Sequence, residues 1–143
     1  MADELDQLDQ FLDQSPKSRQ PQNEASELSQ FIVRVVVPAF EEIATRLEKH
    51  GREANIRNAG PSAALTVCRD GDEEMTYRIQ GRTFPNGVLP YAEIRYRERK
   101  GLRYIRIESM FRSGMPNYTL ADVTKEELIR NFVENYKMRV RSE

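Results

Sequence analysis

Residues 91–111 read YAEIRYRERKGLRYIRIESMF, and this stretch decides the fold. A two-residue turn at Lys100-Gly101 would pair Arg99 with Leu102, and each step outward along the two strands keeps that register. One face of the hairpin then carries Tyr96/Ile105, Ile94/Ile107 and Ala92/Ser109, and the other carries Arg97/Tyr104, Arg95/Arg106 and Glu93/Glu108. An apolar face opposite a charged face is typical of an antiparallel sheet that is buried on one side.

Three more strand-like segments precede this hairpin and complete a predicted sheet. Glycine- and proline-containing turn signals separate them. The five predicted strands are 53–58, 63–69, 75–80, 91–99 and 102–111. If the loop from Gly71 to Glu73 has three residues, the pairs Val67/Tyr77 and Leu65/Ile79 face inward, and Thr66/Arg78 and Cys68/Thr76 face outward. The sequence therefore predicts a five-stranded antiparallel meander.

One helix is expected before the meander in the chain and another after it. Residues 24–50 predict a long helix that ends before Gly51, with apolar residues over an arc of roughly 240°. Pro38 either kinks this helix or begins a second one, and the unbroken apolar arc favours one kinked helix. Thr124 and Glu127 form a capping box that begins the last helix. We predict an α+β fold with a long N-terminal helix, a five-stranded antiparallel meander sheet and a C-terminal helix, both helices lying on one sheet face.

The first 23 residues are expected to form a flexible acidic tail, followed by a single α+β domain at residues 24–143. The tail has five carboxylates against two basic residues, and residues 14–23 include no aliphatic or aromatic side chain. Residues 5–14, LDQLDQFLDQ, repeat Leu-Asp-Gln three times. On a short helix the apolar residues of this repeat, Leu5, Leu8, Phe11 and Leu12, would share one face. We interpret this face as a protein-binding segment.

Composition narrows the class of protein. The chain has 143 residues, of which 38% are hydrophobic and 31% charged, with a mean hydropathy of −0.72. The longest apolar run, at residues 35–40, is far shorter than the ~20 residues of a membrane span. No apolar signal segment follows Met1, and the single cysteine, Cys68, forms no internal disulfide. We expect a cytoplasmic protein with no membrane partner.

No residue pattern typical of catalysis is found in the sequence. His50 and Cys68 are the only histidine and the only cysteine, so a zinc-type cluster around them is excluded. The glycines are isolated and most lie in predicted turns, unlike a phosphate-binding loop. Glu93 and Glu108 form a like-charge pair flanked by arginines, which favours ion pairing over general acid and base chemistry. We expect no enzyme activity, no catalytic residue, no cofactor and no metal.

The wide apolar arc of the first helix favours an interaction protein. The sheet and the last helix could cover the whole arc. The alternative is that Val33, Val37 and Phe40 stay on the surface and pair two copies of the helix. We therefore predict a non-enzymatic protein-interaction domain, adaptor-like or chaperone-like, which binds another protein and forms a homodimer. The helix–meander–helix order loosely resembles that of small secretion chaperones, whose strands are usually interrupted by a helix.

A second hypothesis concerns the outer face of the sheet. Arg78, Arg95, Arg97, Tyr104 and Arg106 are expected to lie together on this face. Arginines beside an aromatic ring can bind an anion, or follow the phosphates of single-stranded nucleic acid while a base stacks on the ring. Glutamates on the same face partly neutralise the positive charge of the arginines, which favours an ion-paired surface. Nucleic acid is therefore the alternative partner.

Overall fold

The computed structural model describes residues 5, 7, 21–85, 87–97, 103–112 and 118–140. The helices are α1 (Pro21–Phe31), a π-helical turn (Ile32–Val36), α2 (Val37–Lys49), a 3₁₀ turn (Leu120–Asp122) and α3 (Lys125–Arg139). The strands are β1 (Glu53–Asn58), β2 (Ala63–Arg69), β3 (Asp72–Phe84), β4 (Gly87–Arg97) and β5 (Tyr104–Met110). They form one antiparallel sheet in the order β1-β2-β3-β4-β5, which confirms the predicted α+β meander.

The long helix, as we call the run of α1, the π-helical turn and α2, passes through Pro38 without a break. It begins at Pro21, three residues before the predicted start. The π-helical turn ends two residues before Pro38, and the Val37 N–H donates to the Ile32 carbonyl five residues earlier. Proline has no N–H for the carbonyl four residues before it, and the wider turn adapts the helix to that missing bond. The helix ends as predicted, since Gly51 follows it with a φ of 81°.

The register of the β4–β5 hairpin is the predicted one. Tyr96 pairs with Ile105, Ile94 with Ile107 and Arg95 with Arg106, and the other three predicted pairs also hold. The turn that sets this register, Lys100-Gly101, lies outside the described residues. Alternation of apolar and charged residues was therefore sufficient to place each side chain on the correct face.

The predicted register of the β2–β3 hairpin is wrong by two residues. The observed partners are Ala63/Ile79, Ala64/Arg78, Leu65/Tyr77, Thr66/Thr76, Val67/Met75 and Cys68/Glu73. The chain turns through two residues, Asp70 and Gly71, whose φ angles are 53° and 86°, and not through three. A β-bulge between Val67 and Cys68 then leaves Glu74 as the extra residue. Because a shift of two preserves the alternation, the inner residues were still assigned to the correct face.

Both helical layers lie on the same face of the sheet, as predicted. α1 contacts β3 and β4, α2 contacts β1 and β2, and α3 contacts β3 and packs beside α2. Tyr77 lies at the centre of the core, with its ring edge-on to Phe40 at 6.0 Å and to Phe132 at 5.2 Å. Its hydroxyl donates to Oδ1 of Asn131 on α3 at 2.6 Å. One aromatic side chain thus connects the sheet, the long helix and the last helix.

The start of α3 is fixed by its cap. The Thr124 hydroxyl accepts from the Glu127 N–H at 3.1 Å, and Val123 and Leu128 are both buried beside it. The Glu127 carboxylate accepts from Arg112, in the segment after β5, at 3.0 Å. No helix within the described ranges is long and apolar enough to cross a lipid bilayer.

Candidate functional site

The apolar patch expected on the long helix is only partly on the surface. Val33 is 59% exposed and Val37 is half-buried, but Phe40 has no exposed surface. Phe40 cannot contribute to a partner interface, because it packs against Tyr77 in the core. The prediction for this residue is therefore corrected: α3 and the sheet cover that side of the helix.

The tail residues assigned to protein binding are mostly outside the described part of the chain. Leu8, Phe11 and Leu12 are not among the described residues. Leu5 and Gln7 are described as helical, and Leu5 is 69% exposed.

A groove runs between α2 and α3, and we call it the interhelical groove. Its volume is about 410 Å³. It is lined by Glu42, Ile43, Arg46, Leu47 and His50 from the long helix and its end, and by Ile129, Phe132, Val133, Tyr136 and Lys137 from α3. An adjoining, more open cavity of about 830 Å³ shares four of these residues and adds Arg52, Met138 and Val140.

The floor of the interhelical groove is apolar because α3 has more apolar residues than its core face needs. Leu128 and Phe132 are buried, while Val133 on the next face is 43% exposed. Phe132 and Tyr136 stack with ring centroids 5.6 Å apart and form an aromatic wall. Met138, at the open end, is 57% exposed. Apolar surface of this kind is typical of a site for another apolar group.

Basic side chains line the rim of the groove. Arg46 from α2 and Lys137 from α3 make no ion pair with any other residue in the described ranges. Glu42, the carboxylate in the lining, is already paired with Lys125 at the start of α3. The groove therefore combines an apolar floor with uncompensated positive charge.

A polar junction holds the aromatic wall in place. The Tyr136 hydroxyl donates to Oε1 of Glu74 at 2.7 Å, and the Arg52 Nε donates to the same oxygen at 3.4 Å. Burial, and then the neighbouring Glu74 carboxylate, raise the pKa of Tyr136 from 10.0 to about 12. Glu74 is the extra residue of the β-bulge, so the unpredicted bulge directs a carboxylate towards the helices.

The outer sheet face brings together the five residues assigned to anion binding, and most of them are engaged with neighbours. Arg95 donates to both oxygens of Glu73 at 2.8 Å, and Arg97 donates to the Tyr104 hydroxyl at 3.3 Å. The guanidinium carbons of Arg95 and Arg97 lie 5.0 and 5.5 Å from the centre of the Tyr104 ring. Arg106 lies 3.6 Å from Glu93.

A shallow depression on this face, the arginine pocket, includes a residue that the sequence interpretation missed. Its volume is about 170 Å³. It is lined by Arg57, Ala64, Thr66, Glu73, Thr76, Arg78, Glu93, Arg95 and Arg106. Arg57 pairs with Ala64 across β1 and β2, and extending the meander register to β1 would have found it. Neither Arg57 nor Arg78 forms a side-chain hydrogen bond or ion pair with another described residue.

The like-charge pair Glu93 and Glu108 has hydrogen-bonding partners on β3. Glu93 accepts from Gln80 at 3.2 Å, and Glu108 accepts from Arg82 at 2.8 Å. Burial, together with nearby carboxylates, raises the pKa of the Cys68 thiol, which disfavours the reactive thiolate. No group of three or more histidine, cysteine, aspartate or glutamate side chains in the described ranges is placed to hold a metal ion.

Comparison of the chain with known protein families, with curated proteins and with solved structures finds no match.

Proposed function

We propose that this chain is a non-enzymatic protein-interaction domain of the cytoplasm, which binds an amphipathic helix of a partner protein in the interhelical groove. The groove supports the proposal because the exposed Val133 on its apolar floor lies beside two basic residues, Arg46 and Lys137, that lack a carboxylate partner within the described ranges. A helix laid into an apolar groove is a common mode of peptide recognition.

The length of the groove indicates how long a ligand helix it can hold. On each wall the lining spans nine residues, from Glu42 to His50 on one side and from Ile129 to Lys137 on the other, which corresponds to about 12 Å of helix. Two helical turns of a ligand cover that length and present apolar anchors at positions i, i+3 or i+4, and i+7. The polar face of the ligand should be acidic, because it would lie beside Arg46 and Lys137.

A designed peptide tests this function. A fluorescent amphipathic helix with leucine anchors and a glutamate polar face should bind the full chain with micromolar affinity, measured by anisotropy. A peptide with lysines in place of the glutamates should bind about tenfold more weakly, a difference of about 1.4 kcal/mol.

Two matched variants locate the site. Val133→Glu puts a charge on the groove floor and should weaken peptide binding by at least about tenfold. Val33→Glu changes an exposed valine of the long helix outside the groove and should leave binding unchanged. Equal binding by both variants, or no binding of the acidic peptide at all, would show that the groove is not a helix-binding site.

A second candidate function is anion or single-stranded nucleic-acid binding, and the arginine pocket favours it. Arg57 and Arg78 lie in one depression without a described side-chain partner, and Arg95, which lines the same depression, lies over the Tyr104 ring. Phosphate oxygens would supply the charge-assisted hydrogen bonds that these two guanidinium groups do not make to described residues.

Salt dependence tests this candidate. A labelled oligothymidylate should bind more weakly as salt rises, because phosphate contacts release counterions. Arg57→Ala with Arg78→Ala should reduce the salt slope, whereas Arg130→Ala, on the exposed surface of α3, should not. An affinity unaffected by the double substitution would exclude the pocket as a nucleic-acid site.

A further inference from the structure

We propose that the interhelical groove of one copy binds the tail motif of a second copy, so that the chain self-associates by exchange of tails. The tail motif is residues 5–14, LDQLDQFLDQ. This inference rests on the proposed function and names the ligand of the same groove.

The spacing of apolar residues in the tail motif matches the groove. Leu5, Leu8 and Leu12 follow the i, i+3, i+7 pattern of a helix that binds in a groove. From Leu5 to Leu12 a helix rises about 10 Å, which fits within the ~12 Å of each groove wall. Phe11 adds an aromatic ring to the same face, and the half-buried Tyr136 ring in the groove offers an aromatic contact for it.

The charges of the two surfaces are opposite. Asp6, Asp9 and Asp13 lie between the apolar positions of the tail motif, so they fall on the polar side of such a helix. The groove rim presents Arg46 and Lys137, which have no carboxylate partner in the described ranges. Docking would bring the aspartates, which share one flank of such a helix, to a basic rim beside the apolar contact and would disfavour a basic ligand.

Leu5 is available for such a contact. It is described in a helical conformation and is 69% exposed. An exposed leucine in a motif of regularly spaced apolar residues gains free energy only when a second surface covers it.

Chain geometry favours a second copy over the same copy. Pro21 begins the long helix at the opposite end from the groove, and the 22 residues to Ile43 correspond to about 33 Å of helix. The nine peptide units from Leu12 to Pro21 span about 31 Å only when fully extended. A tail that docked on its own groove would therefore need a fully stretched linker, whereas the tail of another copy is free of that constraint.

Peptide binding tests the assignment directly. A labelled peptide of residues 1–16 is titrated into the full chain carrying Leu8→Asp and Phe11→Asp, so that its own tail does not compete. We expect micromolar binding, which Val133→Glu or the exposed-rim variant Lys137→Glu weakens by about tenfold and Val33→Glu does not change. A peptide with Asp6→Lys and Asp9→Lys should also bind about tenfold more weakly. Circular dichroism confirms that each variant is folded.

The outcomes separate this inference from the proposed function. If the designed acidic helix binds and the tail peptide does not, the tail assignment is wrong and the groove remains a helix-binding site. If neither peptide binds, both proposals are wrong. Tail-peptide binding to the Val133→Glu and Lys137→Glu chains that is as tight as binding to the chain without these substitutions would place its site elsewhere. A chain that is monomeric at 100 µM, by sedimentation equilibrium, while the peptide binds would exclude exchange between copies.

Discussion

Two tyrosine hydroxyls form hydrogen bonds between the sheet and α3. Tyr77 on β3 donates to Asn131, and Tyr136 on α3 donates to Glu74. Burial raises the pKa of Tyr77 well above its usual value, and it raises the pKa of Tyr136 to about 12. Such phenols hold their protons in the folded chain at a pH where the unfolded chain has lost them.

Alkaline stability should therefore depend on Tyr136. Its folded pKa lies above its unfolded value, so its contribution is fully present below pH 10 and is lost as the pH rises to about 12. Tyr136→Phe should make the free energy of unfolding fall less steeply with pH across this window, measured by urea denaturation. Tyr104→Phe, which removes an exposed phenol, is the control. Parallel curves for the unmodified chain and Tyr136→Phe would contradict the prediction.

The elements show what the sequence could and could not predict. Strict alternation along β4 and β5 fixed that register, because any slip by one residue would bury the arginines. Between β2 and β3 the acidic stretch fits two arrangements. One is a two-residue turn at Asp70-Gly71 with a bulge at Glu74, which the structure shows, and the other is the longer loop that we predicted. The face on which a strand residue lies follows from the alternation of apolar and polar residues, whereas the number of residues in a turn does not.

The assignment of faces predicts unequal costs for neighbouring substitutions. Ile94 is fully buried, so Ile94→Ala should lower the free energy of unfolding by about 2–5 kcal/mol. Arg106→Ala, on the exposed face, should change it by no more than about 0.5 kcal/mol. Chemical denaturation of the two variants measures both values, and a larger loss for Arg106→Ala would be inconsistent with the observed faces.

Gly81 makes the close contact between α1 and the β3–β4 hairpin. A Cβ atom at this position would lie 2.7 Å from Cγ1 of Val88 and 2.8 Å from Cδ2 of Leu28. Gly81→Ala should therefore destabilise the fold by about 1–3 kcal/mol through overpacking. The double variant Gly81→Ala with Leu28→Ala lacks one of the clashing side chains. Its loss in free energy of unfolding, measured by denaturation, should therefore differ from the sum of the losses of the two single variants. Strictly additive losses would mean that Leu28 does not limit the space at Gly81.

At the scale of the whole molecule, the candidate site depends on how elements pack. The arginines of the outer face could be grouped from strand register, since cross-strand neighbours follow from pairing. The interhelical groove could not, because its walls come from α2 and α3, which are about 80 residues apart in the chain and meet only through the core. Phe40 was misplaced for the same reason: an apolar arc does not show which part a neighbouring helix covers.

Self-association should respond to salt in a way that identifies its surface. Tail exchange places aspartates beside Arg46 and Lys137 at an exposed rim, where each pair contributes about 0.2–1 kcal/mol and is screened by salt. Raising the ionic strength from 0.05 to 0.5 M should therefore weaken the dimer by roughly three- to tenfold in sedimentation equilibrium. Pairing of two long helices through Val33 and Val37 would be apolar, and salt would leave it unchanged or strengthen it. Val33→Glu provides the second discriminating measurement. It should leave a tail-exchanged dimer intact and its salt dependence unaltered, whereas dissociation of that variant into monomers would assign the interface to the first helix.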